Sequence, residues 1–142
     1  MKDENNSIVE SKLVLGKTAS VSVVVDESNT AKIVGSGSLD VFATPMMIAL
    51  MERAACECLS GCLDDGQTTV GSLINVEHTA ASPLGAEITA TATIESISGR
   101  KVEFKVSACD NAGEIGSGKH TRFIVDTERF IEKAETRRGI RR

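Results

Sequence analysis

The chain has 142 residues, of which 41% are hydrophobic, so its length suits one domain with a core. Its formal net charge of −4 excludes the broad basic surface that a nucleic-acid-binding protein needs. No apolar run reaches the ~20 residues of a membrane span, and the polar N-terminus lacks the apolar stretch of a signal peptide. We therefore expect a cytoplasmic protein with no nucleic-acid and no membrane partner.

The first predicted elements are a flexible segment over 1–11 and a strand over 17–25. The turn DESN and a Gly/Ser-rich loop over 30–40 follow. A helix begins at Pro45, with Thr44 as its N-cap, and ends near Leu63. These elements belong to a single domain over 12–136.

Four further strands are predicted over 68–80, 86–97, 101–109 and 115–125, before a short helix, ERFIEKAE, and a basic tail over 137–142. The tight turns between these strands imply an antiparallel meander. The long helix is apolar around nearly all of its circumference, which predicts burial on most sides. A five-stranded antiparallel sheet wrapped around one central helix satisfies both features, which is an α+β hot-dog fold. The open edges of such a sheet favour a homodimer.

The four cysteines, Cys56, Cys58, Cys62 and Cys109, suit a reducing compartment. The spacing of the first three is unusual for zinc, and no histidine lies near them in sequence. We expect small, buried apolar side chains in the helix, and neither a metal nor a cofactor.

Glu52 lies within the apolar pattern of the long helix, and none of its neighbours three or four positions away can pair with it. A carboxylate in such surroundings needs a partner or a raised pKa, which is typical of functional sites. The alternative is that Glu52 lies at a rim in water or accepts structural hydrogen bonds.

His78 shares one face of its strand with Ile74 and Val76, the face that should meet the helix. A lone histidine there is more often a satisfied core residue than a catalyst. Thr44 is explained by helix capping alone, although a hydroxyl at a helix N-terminus also suits a nucleophile or a group that polarises a carbonyl. Gly71 indicates a bulge or a close backbone approach within a strand.

The run from Gly113 to Lys119 has the GxxxxGK pattern of a phosphate-binding loop. His120 follows it where a magnesium-binding Ser or Thr would stand, and a strand follows it where a helix would begin. We therefore reject nucleotide triphosphate binding and expect a twisted, Gly-rich strand. Arg122, further along it, is either a surface ion pair or a contact for a phosphate or carboxylate.

Five motifs together resemble the hot-dog thioesterases of the fluoroacetyl-CoA thioesterase type, over roughly residues 12–133. They are VFATPMMIALME (41–52), TVG (69–71), HTAASPLG (78–85), SGRKVEFKVSACD (98–110) and EIGSGKHTR (114–122).

The resemblance implies hydrolysis of a short acyl-CoA at a dimer interface, with Thr44, Glu52 and His78 as catalytic residues. Gly71, Arg122 and Phe42 would contact the acyl thioester or its coenzyme A portion. The aromatic lid of the fluoroacetate-specific enzyme has no counterpart in Val34–Leu39.

Two other functions remain open from the sequence. One is a non-catalytic module that binds acyl-CoA or another small ligand on the same fold. The other is an enoyl-CoA hydratase, although its Asp/His motif is not found here. Because one fold supports many functions, the fold alone does not decide among them.

Overall fold

The computed structural model describes residues 13–139, so the expected N-terminal segment 1–11 and the end of the basic tail lie outside the described residues. Its strands are β1 (Thr18–Val24), β2 (Gln67–His78), β3 (Glu87–Ser98), β4 (Lys101–Asp110) and β5 (Gly113–Asp126). Its helices are α1 (Ala31–Val34), α2 (Thr44–Leu59) and α3 (Thr127–Arg137).

All five strands form one antiparallel sheet in the order β1-β3-β4-β5-β2. Alternate side chains of the central strands point to one face and pack against α2, because successive residues of a strand face opposite sides. This face carries Ile88, Ala90, Ala92 and Ile94 of β3 and Val102, Phe104, Val106 and Ala108 of β4. The predicted hot-dog fold, with its short C-terminal helix, is confirmed.

The predicted four-stranded meander is wrong in one strand, because only β3, β4 and β5 follow one another across the sheet. Strand β2 pairs with β5 at the far edge, so the connection after β2 crosses to the other half of the sheet. Buried Ser82 fixes that connection: its hydroxyl donates to Asp110 Oδ2 at 2.7 Å, and its carbonyl accepts from the Phe42 N–H at 2.9 Å.

Strand β2 is an edge strand with a bulge between Gly71 and Leu73, where Ser72 is the extra residue. Gly71 and His78 are seven positions apart, an odd number that would place them on opposite faces of a regular strand. Because the bulge shifts the alternation by one residue, Gly71 opposite Arg122 and His78 opposite Gly116 both lie on the face towards α2. The strand therefore presents both positions to the same side.

Helix α2 buries one broad face, not most of its circumference, and it ends at Leu59, before the predicted Leu63. The buried residues are Met47, Leu50, Met51, Ala54, Ala55, Cys58 and Leu59. Ile48, Ala49 and Glu52 form a partly exposed stripe, and Cys56 is exposed, not buried as predicted. Ile48 and Ala49 therefore leave apolar helix surface that another protein surface could cover.

Two short elements differ from the prediction. The predicted loop over 30–40 contains α1, whose N-cap is Thr30 and whose last turn ends in Gly35 with a left-handed φ of 83°. Helix α3 continues to Arg137, so it enters the segment predicted as a basic tail.

The GxxxxGK run forms part of β5, as expected for a strand and not for a phosphate-binding loop. A side chain at Gly116 would come within 2.7 Å of Met47 Sδ, so this glycine permits the close packing of β5 against α2. No helix of residues 13–139 is long and apolar enough to cross a membrane.

Candidate active site

The first cluster of candidate residues joins the start of α2 to the end of β2. Thr44 Oγ1 lies 2.7 Å from His78 Nδ1. The predicted N-cap role of Thr44 is wrong, because the helix is capped at Ala43 and no side chain binds its free N–H groups. The hydroxyl binds the imidazole instead, which is the contact that a nucleophile makes with its base.

The second ring nitrogen of this histidine is the notable group of the cluster. His78 Nε2 is buried and has no hydrogen-bond partner among the described residues. Burial lowers the pKa of His78 from its ordinary value of 6.5, so the ring is neutral at pH 7 and able to accept a proton. A buried polar nitrogen without a partner is costly, so Nε2 is the group of this cluster whose hydrogen-bonding capacity is unused within the described residues.

A cavity of about 280 Å³ opens beside this pair. Its wall includes Phe42, Thr44 and His78, with Ser36 from the Gly/Ser-rich segment. Phe42 is only 2% exposed, so it forms part of the floor of the cavity. Phe42, which the resemblance predicts as a substrate contact, therefore lines the cavity beside Thr44 and His78.

The second cluster surrounds Glu52 in the middle of α2. Its Oε2 lies 3.7 Å from Arg122 Nη1, and its side chain is 42% exposed. The sequence pattern indicates a carboxylate in apolar surroundings without a local partner. In the structure the carboxylate is instead partly exposed and paired with Arg122. Gly71 leaves room here, because a methyl group at this position would lie 2.7 Å from Glu52 Oε2 and 3.2 Å from both Arg122 Nη1 and His120 Cε1.

Arg122 is 7% exposed, and its guanidinium donates to protein groups on three sides. Nε donates to Thr69 Oγ1 at 2.9 Å and Nη2 donates to the Thr69 carbonyl at 3.1 Å. Nη1 lies 3.2 Å from His120 Nε2. With its donors bound in this way, Arg122 is placed to orient Glu52 and is not a surface ion pair.

Thr69 and His120 also belong to this cluster, although no pattern in the sequence predicts their place in it. In the sequence, His120 is notable only as the residue that departs from a phosphate-binding loop, and Thr69 only as part of the TVG motif. The available signal was the two-residue spacing of His120 and Arg122, which places both on one face of a strand. The amino-acid composition of the strand does not indicate that this face carries a network of ionisable side chains.

The structure brings Thr44 to His78 and brings Glu52 to Gly71 and Arg122, but it does not bring all five together. Thr44 and Glu52 are eight residues apart in α2, about 12 Å along the axis at 1.5 Å per residue. No hydrogen bond or ion pair among residues 13–139 joins Glu52 to either member of the other pair. The two groups of candidate residues, here called half-sites, are therefore separate within the chain.

Residues 13–139 contain no cluster of three or more His, Cys, Asp or Glu side chains that is arranged to hold a metal ion. The groups in the two half-sites are a hydroxyl, an imidazole, a carboxylate and a guanidinium. Groups of these kinds serve as nucleophile, base and orienting charge in acyl transfer.

The fluoroacetyl-CoA-specific thioesterase (FlK) family model matches residues 25–128, which include both half-sites. The chain belongs to this family. It is therefore a thioester hydrolase on the hot-dog fold, as its motifs predict.

A curated relative, the fluoroacetyl-CoA thioesterase of Streptantibioticus cattleyicolor, is 43% identical over 94 residues, which are 66% of this chain and 68% of the relative. A solved structure of a fluoroacetyl-CoA thioesterase mutant with fluoroacetate has a TM-score of 0.83 at 33% identity, covering 88% of this chain and 98% of that one. A hot-dog-like protein from Thermanaerovibrio acidaminovorans has a TM-score of 0.84 at 26% identity, covering 93% and 98%.

Proposed function

We propose that the protein hydrolyses short-chain acyl-CoA thioesters to the free acid and coenzyme A. The observation that carries the proposal is the 2.7 Å contact between the Thr44 hydroxyl and a neutral His78 imidazole beside a small cavity. Membership of a thioesterase family supports the chemistry. A mutant of the fluoroacetyl-CoA-specific thioesterase was solved with fluoroacetate and CoA, which supports a coenzyme A thioester as the substrate class.

In the proposed reaction, His78 Nδ1 accepts the proton of Thr44 Oγ1 as the oxygen attacks the thioester carbonyl carbon. The carbon–sulfur bond breaks, and the proton returns from His78 to the departing sulfur of coenzyme A. Water then attacks the acyl-threonine ester, with the imidazole again accepting a proton. The acid leaves and the Thr44 hydroxyl is restored.

Glu52 of the partner subunit is the group proposed to bind the unpartnered His78 Nε2. A carboxylate there accepts the Nε2–H bond and fixes the tautomer in which Nδ1 is free to act as the base. Within one chain this carboxylate belongs to the other half-site. A homodimer resolves the separation if it places the two half-sites of different chains together.

Strand β2 supports such a dimer, because it is an edge strand of 12 residues. Antiparallel pairing of two β2 strands about a two-fold axis near Ile74 and Asn75 would place His78 opposite Gly71 of the partner subunit. Since Gly71 lies against Glu52 in each chain, the same operation brings the carboxylate towards His78. Leu73 is 52% exposed at this edge, so pairing would also bury apolar surface.

The proposed acyl group is short, because the cavity of about 280 Å³ lies just below the range of about 300–1,000 Å³ found for small-molecule pockets. Residues 35–38 next to it are Gly-Ser-Gly-Ser, so this segment places no aromatic ring at its mouth. We therefore propose acetyl- or propionyl-sized acyl groups, without selection for fluoroacetyl-CoA.

The activity test is a panel of acetyl-, fluoroacetyl-, propionyl-, butyryl- and octanoyl-CoA, followed by the loss of thioester ultraviolet absorbance. Thiol-reactive dyes are unsuitable, because Cys56 and Cys109 are exposed. Turnover is expected to be fastest with the shortest chains and comparable for acetyl- and fluoroacetyl-CoA. Saturable binding without product from any of the five would instead support a binding module.

The composite site is tested by mixing two inactive variants, His78→Ala and Glu52→Ala. If the two residues act across the dimer, random exchange gives about half mixed dimers, each with one intact site of two, so about a quarter of wild-type activity returns. If both residues act within one chain, no mixture contains an intact site and activity stays absent. A monomeric mass by light scattering would also contradict the proposal.

A further inference from the structure

His120 is a buried ionisable group outside the proposed reaction. It is 1% exposed, and its ring stacks on Phe104 with centroids 6.0 Å apart. Its Nδ1 lies 2.7 Å from the Leu73 carbonyl, at the bulge of β2. A carbonyl oxygen only accepts hydrogen bonds, so Nδ1 carries the proton and donates.

The second nitrogen of the ring then has a fixed role. With the proton on Nδ1, Nε2 of the neutral ring is an acceptor, and it faces Arg122 Nη1, which only donates, at 3.2 Å. Burial is the main cause that lowers the pKa of His120, and the neighbouring guanidinium lowers it further. The neutral tautomer is thus consistent with both of its neighbours.

The chain of contacts leads from the backbone to the proposed catalytic carboxylate. The Leu73 carbonyl holds His120, His120 holds Arg122, and Arg122 Nη1 lies 3.7 Å from Glu52 Oε2. The other two bonds of Arg122 go to Thr69, so His120 is the partner of the same nitrogen that faces Glu52. Loss of the His120 acceptor would free Nη1 to move towards the carboxylate.

We propose that His120 is a positioning residue for thioester hydrolysis, which acts by holding Arg122 at the distance that leaves the Glu52 carboxylate available to the active site. The inference rests on the proposed function of Glu52 and adds a residue that does not touch the substrate. Its role is to accept one hydrogen bond from Arg122, and the bond to Leu73 sets the tautomer that makes this possible.

Two substitutions of His120 each keep one of its two hydrogen bonds and remove the other. In His120→Asn, the side-chain amide nitrogen takes the place of Nδ1 and keeps the Leu73 bond, but the acceptor for Arg122 is lost. In His120→Gln, the longer side chain places its oxygen near the position of Nε2 and keeps the acceptor. Lys119→Ala is the matched control, because this adjacent residue is exposed and pairs with Glu95 on the other face.

The positioning role predicts that His120→Asn lowers kcat on the order of 10²-fold, the cost of misplacing a reacting group by about 1 Å, with little change in KM. His120→Gln is expected to restore most of that loss. In an Arg122→Ala background the same two substitutions should have equal activity, because the group that they act through is gone. Lys119→Ala should keep wild-type kinetics.

Three results would overturn the inference. One is an active His120→Asn together with an inactive His120→Gln, which would make His120 only an anchor of the bulge. Another is an equal loss from His120→Asn with and without Arg122. The third is independent of turnover: the side-chain nitrogen NMR signals of Arg122 should broaden in His120→Asn and persist in His120→Gln, and sharp signals in both would refute the contact. If the wild type hydrolyses no acyl-CoA, the proposed function fails, while this NMR comparison still decides the contact.

Discussion

The substitution Gly71→Ala tests whether the position of Glu52 controls the rate. Gly71 has no left-handed φ, so alanine causes no backbone strain at this site. The added methyl group would lie 2.7 Å from Glu52 Oε2, and a contact must reach at least 3.0 Å, or 3.4 Å for ordinary packing. The carboxylate therefore has to recede by 0.3–0.7 Å, which is the difference between these distances.

This displacement sets the expected magnitude. Misplacing a catalytic group by about 1 Å costs up to about 10²-fold in rate, so we expect a loss in kcat/KM on the order of 10-fold, or about 1.4 kcal/mol of transition-state stabilisation. The closest atom is the end of a side chain that is 42% exposed, so it moves at little cost to stability. Arg122 Nη1 and His120 Cε1, each 3.2 Å from the methyl group, belong to buried side chains that must shift by a few tenths of an ångström, so we expect at most a small loss of stability. Glycine within a strand is itself less stable than alanine by about 0.5–1 kcal/mol.

The assay is the loss of thioester absorbance with acetyl-CoA, alongside urea unfolding of the same preparations. Ser72→Ala, at the adjacent bulge position, is the control, and it should keep wild-type kinetics. Unchanged kcat/KM in Gly71→Ala would refute the reasoning that Gly71 makes room for the carboxylate. An equal loss in both variants would assign the effect to the bulge and not to Glu52.

Three further predictions follow from the same contacts. Thr44→Ala should lower kcat on the order of 10²-fold or more, whereas Thr44→Ser keeps the hydroxyl and most of the activity. Urea unfolding should show wild-type stability for Thr44→Ser and a small loss for Thr44→Ala, because alanine removes the bond to His78 Nδ1. The free energy of unfolding should fall as pH decreases below 6.5, because burial lowers the pKa of His78 and His120 and the unfolded chain therefore takes up protons first. Urea unfolding at several pH values should show that this free energy depends less on pH in His120→Gln than in the wild type. Leu73→Lys places a charge on the exposed edge of β2 and should give a monomeric mass by light scattering together with loss of turnover, while a dimer of unchanged activity would contradict the β2 interface.

Much of the fold was predictable because the patterns behind it are local. The alternation of Ile74, Val76 and His78 with exposed Asn75 and Glu77 identifies the inward face of β2, and the structure confirms it. The apolar length of α2 and the tight turns after β3 and β4 are equally local signals. Such patterns determine which face of an element meets the core.

The partner of β2 was not predictable in the same way. Its pairing with β5 joins residues about 40–60 positions apart, and the short segment after it resembles an ordinary turn. The deciding interactions are those of Ser82 with Asp110 and with the backbone of Phe42, which are visible only in three dimensions. Non-local pairing of this kind leaves no periodic signal in the sequence.

The candidate site also has features that the sequence predicts and features that only the three-dimensional structure reveals. The motifs identify Thr44, Glu52 and His78 by resemblance, but local rules describe the threonine as a cap and the glutamate as a carboxylate without a partner. The actual partners, His78 and Arg122, lie 34 and 70 positions away in sequence. His120 was overlooked because its two hydrogen bonds reach a bulge and an arginine that only the assembled sheet brings close.

The half-sites are separate because of where the candidate groups lie along α2 and along β2. In α2 the candidate groups lie at the N-terminus and in the middle, and in β2 they lie at the C-terminal end and at the bulge. Each half-site takes one group from each element, so the packing of α2 on the sheet holds the two half-sites apart within one chain. A two-fold axis through the centre of β2 exchanges its ends, which would complete two sites in one step. The bulge at Ser72 matters for this reason, because without it Gly71 and His78 would face opposite sides and the exchange would join neither pair.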